Sequence, residues 1–154
     1  TAKPEFGFQP LSDIVGEAKS ALTLPIEESG CEIVVDCPHE VYCARDLLPQ
    51  VFQNLISNSI KFTRQLRKPV IRIRSEEKGG FLDIRFEDNG PGIPAEHRLR
   101  IFKAFERLHG SEVEGLGIGL NIANRVIDLH KGSIGLVESG RLGGATFRIQ
   151  LRSR

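Results

Sequence analysis

The sequence has no methionine and no tryptophan, and a single tyrosine among 154 residues. A chain without methionine is expected to be a segment of a longer protein. Long apolar runs are missing too. They extend over only a few residues, against the roughly 20 that cross a bilayer, so no membrane-spanning helix is expected, and no secretory leader is visible. Charge of one sign is not in excess: the formal net charge is +1, which leaves no field to draw the chain to nucleic acid or an anionic membrane surface. Cysteine is scarce and odd in number. Cys31, Cys37 and Cys43 lie on or beside apolar segments near the N-terminus, which argues against a disulfide framework and for buried thiols in a reducing cytosol. Repeats, low-complexity tracts and interdomain linkers are absent. What remains is an ordinary soluble balance, 40% apolar and 27% charged, in a length that suits one core. Residues 1–154 are therefore expected to form a single domain.

The apolar periodicity divides the chain into helices and strands. Residues 10–29 read as helical, with Leu11, Ile14, Val15, Ala18, Ala21 and Leu22 on one side and an interruption at Pro25. "CEIVVDC" (31–37) and "VYCA" (41–44) read as a strand pair around a turn containing Pro38. Asp46 offers an N-cap for a long helix ending near Thr63. "PVIRIRSEE" and "FLDIRFED" alternate apolar and polar about "KGG", the signature of a β-hairpin with one buried face. Residues 90 to about 116 are rich in glycine, proline and charge, with a short helix expected near 96–104. A helix from about Gly117 to His130 follows, then two strands, "SIGLVES" and "ATFRIQL", flanking "GRLGG". The sum is an α+β fold, a two-layer sandwich in which a mixed, mostly antiparallel sheet is covered by about three helices on one face.

Four constellations could carry chemistry. On the long helix, Val51, Phe52, Leu55, Ile56 and Ile60 form the buried stripe, while Asn54, Asn58 and Lys61 share another face. Two amides and an ammonium there are compatible with a solvated face or with contacts to a metal ion and phosphate oxygens; asparagine is a mediocre helix former, which favours a purpose. "FEDNGPGIP" (86–94) places Asp88 at a strand end beside Gly90 and Gly92. It reads either as a tight turn or as a carboxylate that accepts from an exocyclic amine where bare backbone admits a planar ring. "GLGIGL" puts Gly115, Gly117 and Gly119 at the mouth of a helix, where backbone amides suit phosphate. Its spacing fits neither the dinucleotide fingerprint nor the common phosphate-binding loop. "IFKAFERL" (101–108) carries Phe102 and Phe105 either as core residues or as anchors of a flap, with Arg107 able to reach an anion.

Taken singly these patterns are ambiguous; their order is not. The asparagine helix, "DNGPGIP", "IFKAFERL", "GLGIGL" and "GGATF" resemble, in that order, the N, G1, F, G2 and G3 boxes of sensor histidine kinases, over roughly residues 8–151. "FQNLISNSIKF" and "FERLHG" are most similar to the phytochrome-like branch. The resemblance implies the Bergerat ATP-binding fold, with ATP and Mg²⁺ as ligands. It implies that Asp88 accepts the adenine amino group, that Gly90 and Gly92 make room for the base, and that Phe62 packs near it. Asn58 would hold Mg²⁺, with Asn54 beside it; Lys61 would hold a phosphate, and Arg107 the γ-phosphate, these two being the residues given a catalytic part. Gly115, Gly117 and Gly119 would bring amides to the phosphates, Ile93, Leu116, Ile118 and Leu120 would complete the nucleotide contacts from the G1 and G2 boxes, and Thr146 would help close the adenine pocket. Leu116 stands where the family often has Thr, and Ala145 enters the last box; neither removes an implied ligand.

The four histidines, His39, His97, His109 and His130, lie outside any phosphoacceptor-like helix. The resemblance therefore implies the catalytic half of a two-component kinase. Its partners would be a separate dimerisation and phosphoacceptor helical domain and, beyond it, a response regulator, in the cytoplasm, without nucleic acid or direct membrane contact. The alternatives are an autonomous ATPase of the same fold and a nucleotide-sensing module. The gyrase and chaperone relatives carry a glutamate base one helical turn before the metal-binding asparagine, where this chain has Asn54, which is no base at neutral pH. Residues from about 94 to 116 are expected to form a lid responsive to nucleotide.

Overall fold

The computed structural model describes residues 3–92, 118–137 and 140–153. The expected short helix near 96–104, the lid and the flap residues Phe102, Phe105 and Arg107 lie outside the described residues. In chain order the elements are β1 (Phe6–Pro10), α1 (Leu11–Ala21), α2 (Thr23–Ser29), β2 (Glu32–Asp36), β3 (Glu40–Ala44), α3 (Leu48–Thr63), β4 (Val70–Lys78), β5 (Phe81–Asp88), α4 (Ile118–Leu129), β6 (Ser133–Val137) and β7 (Thr146–Arg152).

Strands β2-β4-β5-β7-β6 form one sheet in that order. The β2–β4 pair is parallel and the other three are antiparallel. Alternation decides what each strand buries. Ile73, Phe86, Phe147 and Leu136 are paired in register across four strands on the helix side, and the Phe86 and Phe147 rings meet edge to face at 6.5 Å. Intervening positions such as Arg74, Arg85 and Arg148 form the opposite face, where Arg148 pairs with Asp83 and Arg74 with Glu87. Helices α1, α3 and α4 cover the apolar face, with Leu11, Ile14, Val15, Phe52, Leu55, Ile56 and Ile127 almost wholly buried. This is the expected two-layer α+β sandwich.

The β4–β5 hairpin forms at the expected place. Gly79 and Gly80 both have positive φ, 56° and 85°, the conformation a two-residue turn of this hand requires. The expected helix over 10–29 is two helices. Pro25 has no N–H to give to the carbonyl one turn earlier, so the chain breaks at Leu22 and restarts at Thr23, where Pro25 falls in the first turn and needs no donor. With α2 counted, there are four helices among the described residues.

Two local expectations are corrected. Asp46 does not cap α3: the helix begins at Leu48 after Leu47, with no side-chain cap, and Pro49 in the first turn removes one of the amides a cap would have served. The segments 31–37 and 41–44 are strands but do not pair with each other; β2 pairs with β4 beyond the α3 crossover, and β3 pairs with β1, a strand the periodicity did not reveal. His130, at the end of α4, locks this second, two-stranded sheet in place. Its Nε2 accepts the Ala44 amide at 3.0 Å while Nδ1 donates to the Val126 carbonyl at 2.7 Å. The three cysteines are free, Cys37 and Cys43 buried and Cys31 half-buried, and burial pushes each thiol up to about 11.

Candidate functional site

Along α3, Leu55, Asn58, Ser59, Phe62 and Thr63 follow the i, i+3, i+4, i+7, i+8 rhythm of a single helix face. That face lines a cavity of about 120 Å³, closed by Asp88 at the end of β5, Pro91 and Gly92 beyond it, Ala145 and Phe147 of β7 and its approach, and Leu120 of α4. That is small beside the pockets that hold whole drug-sized ligands and suits a single ring system. The walls are apolar apart from Asn58, Ser59, Thr63 and Asp88.

Asp88 is the most constrained of these. Its side chain is buried, and its oxygens divide their work. Oδ1 accepts the backbone amides of Gly90 at 3.0 Å and Ala145 at 2.9 Å. Oδ2 accepts the Ser59 hydroxyl at 2.6 Å. A carboxylate offers about four acceptor positions, so Oδ2 keeps one for a donor entering the cavity. The local sequence produces this arrangement. Asn89 ties the strand end to the start of β4, its Oδ1 accepting the Val70 amide at 2.8 Å and its Nδ2 donating to the Lys68 carbonyl at 3.0 Å. Gly90 has no room for a side chain, since a Cβ would stand 2.6 Å from Thr63 Oγ1 and 3.2 Å from Asp88 Oδ1. Gly144 is more tightly held still. Its amide donates to the Asp88 carbonyl at 3.0 Å, and a Cβ there would overlap Asp88 Oδ1, the Asp88 carbonyl oxygen and the Gly90 nitrogen.

The structure thus brings together Asn58, Phe62, Asp88, Gly92 and Leu120 around one cavity, with Gly90 beneath it. Asn54 lies one turn earlier on α3 and lines a separate polar groove with Gln50, Gln53, Arg45 and Glu17. The amide nitrogens of Asn54 and Asn58 are buried without a hydrogen-bond partner. Lys61 is exposed and stands outside the cavity wall, its ammonium 5.4 Å from the centroid of the Phe62 ring. Ile118 and Gly119 belong to the first turn of α4. Ile93, Arg107, Gly115, Leu116 and Gly117 lie outside the described residues.

Thr146 is a correction. It is paired with Glu87, and strand alternation puts both on the sheet face opposite the helices; its hydroxyl accepts the Gly140 amide at 3.1 Å. The neighbours Ala145 and Phe147 line the cavity instead. Sequence reasoning also missed Ser59, Thr63 and Gly144. A signal for the first two was present: each is a hydroxyl set into the apolar stripe of α3, four and eight residues after Leu55.

Residues 43–154 match the family model described as histidine kinase-, DNA gyrase B-, and HSP90-like ATPase. The chain is similar to the phytochrome-like protein Cph1 of Synechocystis, with 38% identity over 96% of this chain and 20% of that protein. It is similar to the adaptive-response sensory kinase SasA of Nostoc, with 36% identity over 97% of this chain and 36% of the relative. It therefore spans only 20% and 36% of the lengths of these two relatives. Among solved structures, the catalytic domain of the histidine kinase ThkA superposes with a TM-score of 0.79 at 25% identity, covering 97% of this chain and 96% of the other. The mycobacterial sensor histidine kinase MprB has the same fold, with a TM-score of 0.73 at 20% identity over 95% and 97% of the two chains.

Proposed function

Since the chain belongs to the histidine kinase-, DNA gyrase B- and HSP90-like ATPase family, we propose that it is the ATP-binding catalytic domain of a two-component kinase. In this reading it presents ATP to a histidine on a separate dimerisation domain of the full-length protein, from which the phosphoryl group passes to a response regulator. A cytoplasmic site of action belongs to the same proposal. The observation that carries it is Asp88: a buried carboxylate with one acceptor position left over, in the wall of a mostly apolar cavity. That position suits the exocyclic amine of adenine, with the Phe62 ring and Leu120 against the base.

The phosphates would then extend past Asn58 toward the first turn of α4, where amides at a helix N-terminus attract anions. Lys61 and Arg107 would contribute cationic contacts to them. The Asn58 side chain would offer its amide oxygen to a magnesium ion, because a hard cation takes neutral amide oxygen and draws its remaining oxygens from phosphate and water, and its unpartnered amide nitrogen would be left as a donor to a phosphate oxygen. When bound, magnesium would neutralise charge on the phosphates. Phosphoryl transfer asks little covalent work of the protein. An imidazole nitrogen of the acceptor bonds to the γ-phosphorus as the bond from that phosphorus to the β–γ bridging oxygen breaks, and ADP leaves. The chain's own residues hold the base and the phosphates in line for this step. Helix α3 has no carboxylate, and Asn54 cannot take a proton from water, which favours transfer to a partner over autonomous hydrolysis. Calorimetric titration with magnesium-ATP tests the first half of the proposal: saturable binding that Asp88→Asn weakens supports it, and no binding by the folded chain contradicts it.

A further inference from the structure

We propose that Thr63 is a base-reading residue, its hydroxyl donating to the ring nitrogen next to the amino group that Asp88 receives. The proposal rests on the adenine reading of the cavity. Thr63 is the last residue of α3 and only 1% exposed, yet its Oγ1 has no hydrogen-bond partner. A hydroxyl at the end of a helix ordinarily satisfies itself on a carbonyl or on water, and one left buried and unpaired weakens the fold. Thr63 is among the residues that line the cavity, and its hydroxyl lies against Gly90, beside the carboxylate.

Its position along α3 selects the atom it would meet. Asn58, on the phosphate side, is five residues earlier, about 7.5 Å along the helix axis at 1.5 Å per residue. Thr63 is therefore at the end of the cavity remote from the phosphates. Adenine attached through N9 points its amino group and N1 to that end. N1 is an acceptor and requires a donor. Asp88 Oδ2 can only accept, and Ser59 has committed its proton to Asp88. Among the described residues of the lining, the uncommitted side-chain donors are Asn58 Nδ2 and Thr63 Oγ1, and Thr63 is the one at this end. The hydroxyl would donate to N1 directly or through one bridging water. The two residues then read adjacent atoms: Asp88 takes the amine and opposes the 6-oxo group of guanine, acceptor against acceptor, while Thr63 takes the N1 lone pair.

The test compares magnesium-ATP with 1-deaza-ATP, in which N1 is replaced by C–H, on the wild-type chain, Thr63→Val and Thr63→Ser. Valine keeps the shape and removes the hydroxyl, so it should leave the nucleotide-free chain at least as stable as wild type. Serine keeps the hydroxyl and controls for packing. We expect wild type to favour ATP over 1-deaza-ATP about tenfold, Thr63→Val to lose about tenfold in ATP affinity together with that preference, and Thr63→Ser to retain most of both. ATP binding by Thr63→Val at wild-type strength, or a preference that survives the substitution, would overturn the assignment. Failure of the folded wild-type chain to bind ATP would overturn the adenine reading on which it rests, and is distinguishable from either.

Discussion

Replacing Asp88 by Asn separates the fold from the ligand more sharply than any other change in this chain. The asparagine carbonyl oxygen can take the place of Oδ1 and keep the amides of Gly90 and Ala145, and the Ser59 hydroxyl can rotate to accept from the new amide instead of donating. The unfolding free energy should therefore change by less than about 1 kcal/mol. In the cavity the consequence is different. The position that would accept the adenine amine becomes an N–H donor, so a hydrogen bond to a charged group, worth about 1.5–3 kcal/mol, is lost and two donors face each other in a buried site. A total of about 2–4 kcal/mol corresponds to a roughly thirty- to thousandfold weaker complex. Asp88→Ala provides the contrast, because it leaves two buried backbone amides without acceptors, at about 1–3 kcal/mol each, and should lower stability as well as affinity. Titration calorimetry and urea unfolding on the three proteins measure both quantities. Wild-type affinity in a folded Asp88→Asn chain would remove Asp88 from the base site and with it the argument that identifies the cavity.

Gly144→Ala should weaken both folding and nucleotide binding, by about 1–3 kcal/mol of overpacking in stability, since the added methyl would overlap Asp88 and Gly90; a thermal midpoint and affinity equal to wild type would contradict the packing described. Asn58→Ala should reduce ATP affinity more with magnesium than in a metal chelator, and equal losses in the two conditions would show that the amide does not meet the metal. His130 gives a pH signature. Burial lowers its pKa and the Val126 hydrogen bond only partly opposes this, so its neutral form belongs to the folded state. The stabilisation it contributes is complete above the ordinary value of about 6.5 and is lost as pH falls through the lower folded value. The stability difference between wild type and His130→Gln should accordingly shrink between about pH 7 and pH 5, and a difference constant across that range would contradict the neutral tautomer drawn from its two contacts.

What could be read from the sequence and what could not follow from how far each signal reaches along the chain. The β4–β5 hairpin was legible because its register is fixed by two adjacent glycines at the turn, and the buried stripe of α3 because it repeats within one helix. Strand pairing across α3 was not: "EIVVD" carries no mark of whether its neighbour is the next strand or one that follows a helix. β1 was hidden because five residues containing a glycine and a terminal proline give too short an alternation. At the site, Asp88 and Gly90 were legible as a motif, but two of the three groups that hold the Asp88 carboxylate, the Ser59 hydroxyl and the Ala145 amide, come from α3 and from the approach to β7, far apart in sequence. Thr146 shows the reverse. The apolar alternation of Phe147, Ile149 and Leu151 already puts it on the far face, and resemblance to a family box suggested otherwise.

The fate of the γ-phosphate separates transfer to a partner from autonomous hydrolysis. The chain is incubated with γ-labelled magnesium-ATP and the helical phosphoacceptor domain that the proposal assigns to the full-length protein, and the label is followed on that domain and as free phosphate. Transfer to a partner would put label on the acceptor histidine, recognisable by its loss in acid and survival in base, with little free phosphate when the acceptor is omitted. Steady release of phosphate by the chain alone, with none on the acceptor, would contradict it.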